Sequence, residues 1–503
     1  MIIGGLDIGS TGAKITVMDH YGQSLFTSNS EYKSYQRTDI GVHEINAEDI
    51  WDAVKTILRK AVEAVRGISA IGITSFGESF ALIGDNGEVL SPSMMYTDPR
   101  GANEAAALAE ILGSDFICAT AGTAAHPMFS LPKLMWIKAN NPEIYTKTQY
   151  IFLIGDYLAY KLTGRRLIDY SLAARTMGFD IRAKKWSEDI FEAAGINPSL
   201  FSEPAPTGSI AGTVLPAIAA ELGLPNELQI VICGHDQVAA AVGSGVMREG
   251  IATDGGGTVQ CMTPVFSHIP EGRAMQDYHY SIVPFLKEDS YCCYAFIFTG
   301  GSLIKWFIDN FAAQYRGGAA QAGVSVYEYI EAMMNAAPTG ILTLPHFAGA
   351  ATPYMDVNSR GAFVGLELTH TPADLYKSIM EGIAYEMRIN MERLSEGGII
   401  IRGLNATGGC AKSRLWLQMK ADILGIPISR MNTDEAGTIG GIMLTGSAVG
   451  AYAGLEAAAN TLMHTVETFH PNVRMHERYE KHYRRYKKLY EAIRPLVCSP
   501  DDK

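Results

Sequence analysis

The chain has 503 residues, 47% of them apolar and 19% charged, which is typical of a folded protein of two or three domains and not of a disordered chain. The net charge of −12 argues against a nucleic-acid or anionic-membrane surface, although a local basic pocket is compatible with it. No apolar run reaches about 20 residues and the N-terminus lacks a signal-peptide pattern, so we expect a cytoplasmic protein. Seven cysteines without a C-x-x-C pair predict neither a disulfide framework nor a zinc site.

Two strands and a helix are predicted first. Residues 2–8 and 13–18 are apolar runs around the glycine-containing turn Gly9–Gly12, a pattern that predicts a β-hairpin. A helix is expected to follow Asn46, its predicted N-cap, because apolar residues recur at helical spacing as far as Val65.

The next predicted strand, 68–73, leads into a polar loop over 74–79. The alternation of strands with helices predicts the α/β class. Near the C-terminus, four tyrosines at helical spacing among Lys and Arg predict one helix with an aromatic docking face: Tyr479, Tyr483, Tyr486 and Tyr490.

An internal repeat gives the domain organisation. Asp7–Thr11 and Asp254–Thr258 share the pattern D-x-G-x-T, and each lies between two strand-like runs, about half the chain apart. We interpret this as two homologous α/β domains, 1–246 and 247–503, that each contribute one glycine hairpin to a shared cleft.

Several common catalytic motifs are absent from the sequence. No Gly-Lys dipeptide occurs, so a Walker-type phosphate loop is excluded. Neither the zinc motif H-E-x-x-H nor the nucleophile elbow G-x-S-x-G occurs, and no G-x-G-x-x-G lies between a strand and a helix.

The two glycine hairpins predict a different kind of nucleotide site. Backbone N–H groups and hydroxyls in such turns can surround a polyphosphate. Asp7 is positioned to hold Mg²⁺, which favours one or two carboxylates together with phosphate oxygens. The alternative is that both segments are only tight turns, with the aspartate capping its own turn.

Asp236 follows the apolar strand-like run 230–235 and precedes a helix-like run of small residues. A carboxylate there is placed to meet a substrate hydroxyl, although a helix N-cap is the alternative. We interpret His235 as a partly buried imidazole with its hydrogen bonds satisfied. Glu78 lies between Phe76 and Phe80, which suits a polar group inside a cleft, or else it is a solvated loop residue.

The chain resembles the FGGY family of carbohydrate kinases along nearly its whole length. This family belongs to the actin/hexokinase-like ATPase superfamily. Residues 361–381 fit the family's C-terminal signature, and residues 128–140 fit the N-terminal signature apart from Ala139. Four further segments resemble the family's phosphate-binding and nucleoside-binding segments in the expected order, although Asp254 is unusual in the second: Leu6–Lys14, Thr253–Thr258, Thr299–Trp306 and Ala406–Ser413.

The resemblance implies two ribonuclease-H-like domains around a central cleft that binds ATP, Mg²⁺ and a sugar. It implies that Asp236 is the catalytic base and that Asp7 lies at the metal. Expected nucleotide-binding residues are Gly9, Ser10, Thr11, Lys14, Gly257, Thr258, Gly301, Lys305, Gly409 and Ser413. Expected sugar-binding residues are Glu78, Asp98, Asp236 and Gln237.

The acceptor sugar is less clearly indicated. The motif sequences and the length resemble those of xylulokinase-type members, but these usually carry Gln-Met-His where this chain has Phe76–Glu78. Glycerol kinases usually carry Arg-Glu in this segment, which Glu78 matches and Gly77 does not. Tyr96–Arg100 resembles a substrate-proximal W-x-D-x-R stretch. We expect a ketopentose such as D-xylulose, with glycerol, a tetritol or a ribulose-type sugar as alternatives.

A non-catalytic actin- or chaperone-like ATPase switch could use the same hairpins. Asp236 with Glu78 and Asp98 in one cleft favours the kinase. As partners we expect a small-molecule sugar and a second copy of the chain in a homodimer, with neither nucleic acid nor membrane.

Overall fold

The structure, a computed structural model, describes residues 1–37 and 41–497. The chain forms two compact units. Unit 1 consists of Met1–Gly245, Ser281–Cys292 and Glu435–Met463, and unit 2 consists of Val246–Tyr280, Cys293–Asp434 and His464–Lys503. The units are therefore discontinuous in sequence, and the domain limits 1–246 and 247–503 stay a prediction.

The strands up to Gly245 are β1 (Ile2–Ile8), β2 (Gly12–Asp19), β3 (Ser24–Glu31), β4 (Ser34–Arg37), β5 (Val42–Ile45), β6 (Ile68–Ser75), β7 (Phe80–Ile83), β8 (Ser93–Met94), β9 (Tyr150–Leu153), β10 (Leu167–Asp169), β11 (Phe179–Asp180), β12 (Lys185–Trp186), β13 (Glu203–Ala205), β14 (Ser209–Thr213) and β15 (Gln229–His235). The helices are α1 (Ala47–Ala64), α2 (Ala102–Leu112), α3 (Ser114–Ala121), α4 (Ser130–Asn140), α5 (Pro142–Lys147), α6 (Ile154–Thr163), α7 (Tyr170–Ala174), α8 (Glu188–Ala194), α9 (Pro216–Leu222) and α10 (Asp236–Gly243).

The later strands are β16 (Ile251–Gly256), β17 (Gln260–Met262), β18 (Val265–Phe266), β19 (Ile282–Pro284), β20 (Tyr291–Cys293), β21 (Ala295–Ile297), β22 (Leu342–Leu344), β23 (Ala362–Val364), β24 (Gly403–Thr407), β25 (Ile428–Met431) and β26 (Thr465–Phe469). The later helices are α11 (Ala274–Asp277), α12 (Gly301–Phe311), α13 (Arg316–Ala322), α14 (Val326–Glu331), α15 (Pro372–Glu396), α16 (Arg414–Leu424), α17 (Ala436–Ala448), α18 (Leu455–Leu462), α19 (Val473–Tyr486) and α20 (Leu489–Val497).

Each unit contains a six-stranded mixed sheet. The order in unit 1 is β14-β15-β6-β1-β2-β3, and in unit 2 it is β26-β25-β24-β16-β17-β21. In both sheets the three central strands run parallel, an antiparallel hairpin extends one side, and one antiparallel strand closes the other. The prediction of two similar α/β domains is confirmed by this shared topology.

The first predicted elements are confirmed as well. The hairpin is β1 and β2, and the helix is α1, whose N-cap side chain, Asn46 Oδ1, accepts a hydrogen bond from the Glu48 amide at 3.0 Å. The apolar stripe of α1 is buried, from Ile50 to Ala61, as its spacing requires. Among the described helices, we find none with the length and apolar character needed to cross a bilayer.

The interior of unit 1 depends on close approach between backbones. Helix α17 packs on α10 and on β1, and glycines stand at the contacts. A Cβ on Gly440 would lie 1.8 Å from the carbonyl oxygen of Ala239, and one on Gly5 would lie 2.0 Å from that of Thr438. No side chain can be added there without moving a helix, which explains part of the high glycine content.

The C-terminal segment differs from the prediction of one helix, because it forms two, α19 and α20. Tyr483 and Tyr486 of α19 pack against the ring of Tyr385 in α15, with centroids 5.9 and 5.0 Å apart. Tyr490 of α20 instead stacks on Tyr354 at 4.0 Å. The chain turns between the helices because the tyrosines dock on different parts of unit 2.

Candidate functional site

The glycine hairpin of unit 1 places Asp7 at the end of β1, opposite Lys14 of β2 and beside Thr74 of β6. Within residues 1–37 and 41–497, the buried Oδ1 atom of Asp7 has no hydrogen-bond partner. Burial raises the pKa of Asp7 to about 7, the charge of Glu435 adds to the rise, and Lys14 opposes it. Lys14 Nζ itself forms an ion pair with Glu435 at 2.6 Å.

These features of Asp7 fit a divalent cation. An unbonded, buried carboxylate oxygen is costly unless a partner arrives, and Mg²⁺ prefers this kind of oxygen. The turn that follows is compact, since the Gly9 amide donates to the Gly12 carbonyl at 2.9 Å and the Tyr32 hydroxyl donates to the Gly9 carbonyl. Ser10 and Thr11 lie at its tip, so their hydroxyls and amides are available to a ligand.

Asp236 is the first residue of α10, directly after β15. The alternative of a capping role is wrong, because His235 occupies the N-cap position and its Nδ1 accepts from the Gln237 amide at 3.4 Å. In the part of the chain that the structure describes, Asp236 Oδ1 has no hydrogen-bond partner. Gln237 hydrogen-bonds to the carboxyl group of Asp236, so Oδ1 is the oxygen that is left for a ligand.

Buried acids surround Asp236. Burial raises the pKa of Asp236 to about 8, and repulsion from the carboxylates of Asp7 and Glu78 contributes. His235 Nδ1 lies 3.3 Å from Asp236 Oδ1, but burial and then the charge of Arg175 lower the pKa of His235 well below its ordinary value. The imidazole is therefore neutral at pH 7 and does not form an ion pair with Asp236.

Glu78 is buried, with 5% of its surface exposed, so the alternative of a solvated loop residue is wrong. Its Oε1 accepts from Arg175 Nε at 2.6 Å and also contacts Arg175 Nη2. Its backbone has φ of +65°, which a glutamate adopts only under local constraint. The Ser130 hydroxyl donates to the Glu78 carbonyl at 2.7 Å and helps to hold this conformation.

Asp98 is buried and accepts several hydrogen bonds. Its carboxylate accepts from Arg100 Nε at 2.9 Å, from Arg100 Nη2 at 2.7 Å, from the Arg100 amide at 3.0 Å and from the His43 amide at 2.9 Å. Burial alone would raise the pKa of Asp98, but these bonds and the charge of Arg100 lower it. Buried Lys133 donates to the carbonyl of Asp98 at 2.6 Å. A direct bond from Asp98 to a sugar stays a prediction.

Unit 2 contains a cavity of about 970 Å³, within the range of small-molecule sites. All six nucleotide-binding residues predicted for this part of the chain line it: Gly257, Thr258, Gly301, Lys305, Gly409 and Ser413. Three further lining residues, Tyr327, Glu331 and Tyr376, belong to none of the predicted segments. The capping-box motif Ser325-x-x-Glu328 could have predicted the start of helix α14 in the sequence. It could not have predicted that this helix lies beside the cavity.

Glycines form the floor of this cavity. The Gly301 amide donates to the Gly257 carbonyl at 2.8 Å, and a Cβ on Gly301 would lie 2.6 Å from that oxygen. Ser413 caps α16 through a bond from the Trp416 amide at 3.1 Å. Lys305 Nζ pairs with Asp309 on the exposed face of α12. The segments at Gly257 and Gly301 are therefore in direct contact, and the N-terminal residues of α16 line the cavity with them.

Asp254, which begins the second D-x-G-x-T segment, is fully engaged. Lys420 Nζ donates to its two carboxylate oxygens at 2.7 and 2.8 Å, and Gln260 Nε2 donates to Oδ1 at 2.5 Å. Asp254 and Lys420 are each 1% exposed. The pair ties the β16–β17 hairpin to α16, and both elements line the cavity.

Unit 1 carries a group of acids, Asp7, Glu78 and Asp236, which suits a hydroxyl-bearing ligand. Unit 2 carries a cavity lined by glycine segments, which suits a phosphorylated ligand. The sequence pattern of the N-terminal domain of the FGGY family of carbohydrate kinases matches residues 2–243, and that of the C-terminal domain matches residues 270–449. The chain belongs to the FGGY family and is a carbohydrate kinase.

Known relatives act on different sugars. The xylulose kinase of Staphylococcus epidermidis is 26% identical over 99% of this chain and 98% of its own length. The gluconokinase of Bacillus subtilis is 27% identical over 91% of this chain and 90% of its own. The solved structure of ligand-bound xylulose kinase from Lactobacillus acidophilus superposes with a TM-score of 0.88 at 22% identity, covering 99% of both chains.

Proposed function

We propose that this kinase transfers the γ-phosphoryl group of ATP to a hydroxyl of a ketopentose, with D-xylulose as the best candidate. The observation that carries the proposal is the carboxylate of Asp236, whose side chain is 27% exposed and whose buried Oδ1 has no hydrogen-bond partner among residues 1–37 and 41–497. Similarity to xylulose kinases supports the choice of sugar. A folded protein keeps such an oxygen without a partner only at some cost, and substrate binding is a reason to keep it.

In this proposal the nucleotide occupies the cavity of unit 2. Gly257 and Thr258 bind the phosphates, and Gly301, Lys305, Gly409 and Ser413 contact the nucleoside end. Backbone amides in a glycine turn are good phosphate ligands because they approach closely and carry partial positive charge. Gly9, Ser10, Thr11 and Lys14 of the unit 1 hairpin are also proposed to bind nucleotide.

Asp7 would hold the Mg²⁺ that accompanies ATP. When bound, that ion supplies neutralisation of charge on the β- and γ-phosphate oxygens. Asp7 suits this role because its Oδ1 is buried and because burial and the charge of Glu435 raise its pKa by more than Lys14 lowers it.

Asp236 acts as the general base. It accepts the proton of the sugar hydroxyl as that oxygen attacks the γ-phosphorus, and it must be ionised to do so. Gln237, Glu78 and Asp98 bind or position the remaining hydroxyls. Proton acceptance of this kind contributes about 10²- to 10⁴-fold to the rate, and alignment of the reactants contributes further.

An ADP-release assay over pentuloses, tetritols, glycerol and hexuloses tests the function. We expect ATP-dependent turnover with one small sugar, and the highest kcat/KM with a ketopentose. Turnover confined to glycerol, a tetritol or a ribulose-type sugar would select one of the alternatives. ATP hydrolysis that no sugar accelerates would contradict the proposal and favour the ATPase-switch alternative.

We also propose that the protein is a cytoplasmic homodimer. Light scattering coupled to size-exclusion chromatography tests the assembly, because a chain of 503 residues and its dimer differ twofold in mass. A monomer at micromolar concentration would contradict the dimer without affecting the proposed reaction.

A further inference from the structure

The segment around Glu78 is built around one ion pair. Arg175 directly follows α7, and its Nε and Nη2 atoms contact Oε1 of Glu78. Its guanidinium also lies 4.9 Å from the ring centre of Phe129. The side chains of Arg175 and Glu78 are 5% and 6% exposed. A buried pair with this geometry is close to electrically neutral as a unit.

Gly77 shows how tightly this pair is held against the catalytic turn. A Cβ on Gly77 would lie 2.8 Å from Cγ of Arg175 and 3.0 Å from Cδ2 of His235. Arg175, Gly77 and His235 are therefore in one packed layer, and Asp236 is the next residue after His235. The Glu78–Arg175 pair is part of the wall beside Asp236.

The other cations on this side of unit 1 are also engaged. Arg100 bonds Asp98 and, at 2.5 Å, Glu44. Lys133 Nζ donates to two backbone carbonyls, those of Asp98 and Pro127, each at 2.6 Å. Lys14 is paired with Glu435. The acids, in contrast, include Asp7 and Asp236, each with an oxygen that lacks a partner among the described residues.

We propose that the acceptor site selects uncharged polyols and ketoses and rejects sugar acids, and that Glu78 sets this preference by neutralising Arg175. The inference rests on the proposed function and narrows it, since the relatives include both xylulose kinases and gluconokinases. An aldonate would bring its carboxylate beside Asp236 while the guanidinium of Arg175 is already paired with Glu78, and burying a charge without a cationic partner is costly. The same acids are good acceptors for hydroxyl protons of a neutral sugar.

Wild-type protein is tested first, by calorimetric binding and by ADP release. The neutral probes are D-xylulose, D-ribulose, erythritol and glycerol, and the acidic probes are D-gluconate and D-xylonate. We expect the best neutral probe to exceed the best acid by at least about 100-fold in affinity and in kcat/KM. An acid that binds as well as the neutral probes, or failure of all probes to bind, overturns this proposal.

The binding measurement separates this proposal from the proposed function. Preferential binding of neutral probes without ADP release would support the charge selection and contradict the kinase reaction with those sugars. ADP release with gluconate as the best acceptor would support the kinase reaction and overturn the charge selection.

Glu78→Gln tests the role of the ion pair. The amide oxygen can still accept from Arg175 Nε, which favours retention of the fold, but the negative charge that Glu78 places beside the guanidinium is removed. The ratio of neutral to acidic kcat/KM should fall about tenfold or more, through weaker neutral binding, stronger acid binding, or both. An unchanged ratio in a folded variant overturns the role of Glu78.

Two further variants serve as controls. Glu221→Gln removes the same charge beside another arginine of unit 1, Arg59, at a half-exposed site, and should leave the ratio unchanged. Glu78→Asp keeps the charge and should keep the ratio within a few-fold of wild type. A general loss of folding would lower both substrate classes together, whereas the proposal requires their ratio to change.

Discussion

The two D-x-G-x-T hairpins begin with the same residue type in the same position of matching sheets, yet the two aspartates are in opposite situations. Asp7 keeps a buried Oδ1 atom without a hydrogen-bond partner among the described residues. Asp254 accepts three hydrogen bonds, two from Lys420 and one from Gln260. The Oδ1 atom of Asp7 is buried, and Asp254 is 1% exposed.

The difference shows that a repeated motif does not imply a repeated role. An aspartate saturated by a buried cation stabilises the hairpin that carries it, and little of its charge remains available to a ligand. An aspartate with an unbonded oxygen destabilises the free protein slightly and is available for chemistry. Asp254 is unusual for the family at its position, and the partner that explains it, Lys420, lies 166 residues further along the chain.

The largest effect is expected from breaking the Asp254–Lys420 pair. Asp254→Asn leaves Lys420 with an uncompensated buried charge, so the free energy of unfolding should fall by about 3–5 kcal/mol. Urea unfolding measures this loss. Asp254→Leu combined with Lys420→Met removes both charges and should recover most of it. A loss below 1 kcal/mol for the single variant would mean that Asp254 is not structural.

Asp236→Asn should have the next largest effect, on rate instead of stability. Losing the proton acceptor should lower kcat about 10²-fold or more, with the melting temperature little changed. Asp156→Asn is a matched control, because Asp156 is also buried with an unbonded Oδ1 among residues 1–37 and 41–497, and burial raises its pKa to about 8. Turnover of Asp236→Asn within a few-fold of wild type would exclude Asp236 as the base.

Asp7→Asn should affect the metal dependence. The Mg²⁺ concentration for half-maximal rate should rise at least about tenfold, since a direct ligand matters as much as the groups that orient ligands. Stability should be unchanged or slightly higher, because a buried charge is removed. Titration of Mg²⁺ at fixed ATP measures the shift, and an unchanged requirement would place the metal elsewhere.

The smallest expected effect is on the pH profile. Because burial and the charges of Asp7 and Glu78 raise the pKa of Asp236 to about 8, the protonated, inactive form dominates below that pH. At saturating ATP, kcat/KM for the sugar should therefore rise as pH increases through about 8. Glu78→Gln removes one of the charges that raise this pKa, so the midpoint should move to lower pH. A midpoint that stays or rises would contradict the proximity of these acids.

The elements that could be predicted from the sequence are those that depend on residues close together in the chain. The first hairpin and α1 followed from apolar periodicity and from a capping residue, Asn46, which act within a few residues of chain. The six residues that line the cavity of unit 2 were expected from the resemblance to the FGGY family, whose phosphate-binding and nucleoside-binding segments occur in this chain in the expected order.

The remaining features depend on residues far apart in sequence. Nothing near Glu78 indicates that Arg175, 97 residues later, neutralises it. The break between α19 and α20 depends on the position of Tyr354, on which Tyr490 stacks. The helical spacing of the C-terminal tyrosines carries no information about that position. His235, not Asp236, caps α10, because the strand ends one residue earlier than an aspartate cap would require.

The segment Glu435–Met463 has a consequence for synthesis on the ribosome. Helix α17 within it covers β1 and α10, yet about 190 residues, from 246 to 434, separate it from the end of the first part of unit 1. At about 5–20 residues per second, the nascent chain spends roughly 10–40 s with that surface uncovered. The emerging protein is therefore a substrate for chaperones over this interval, and a product terminated before residue 436 would lack α17.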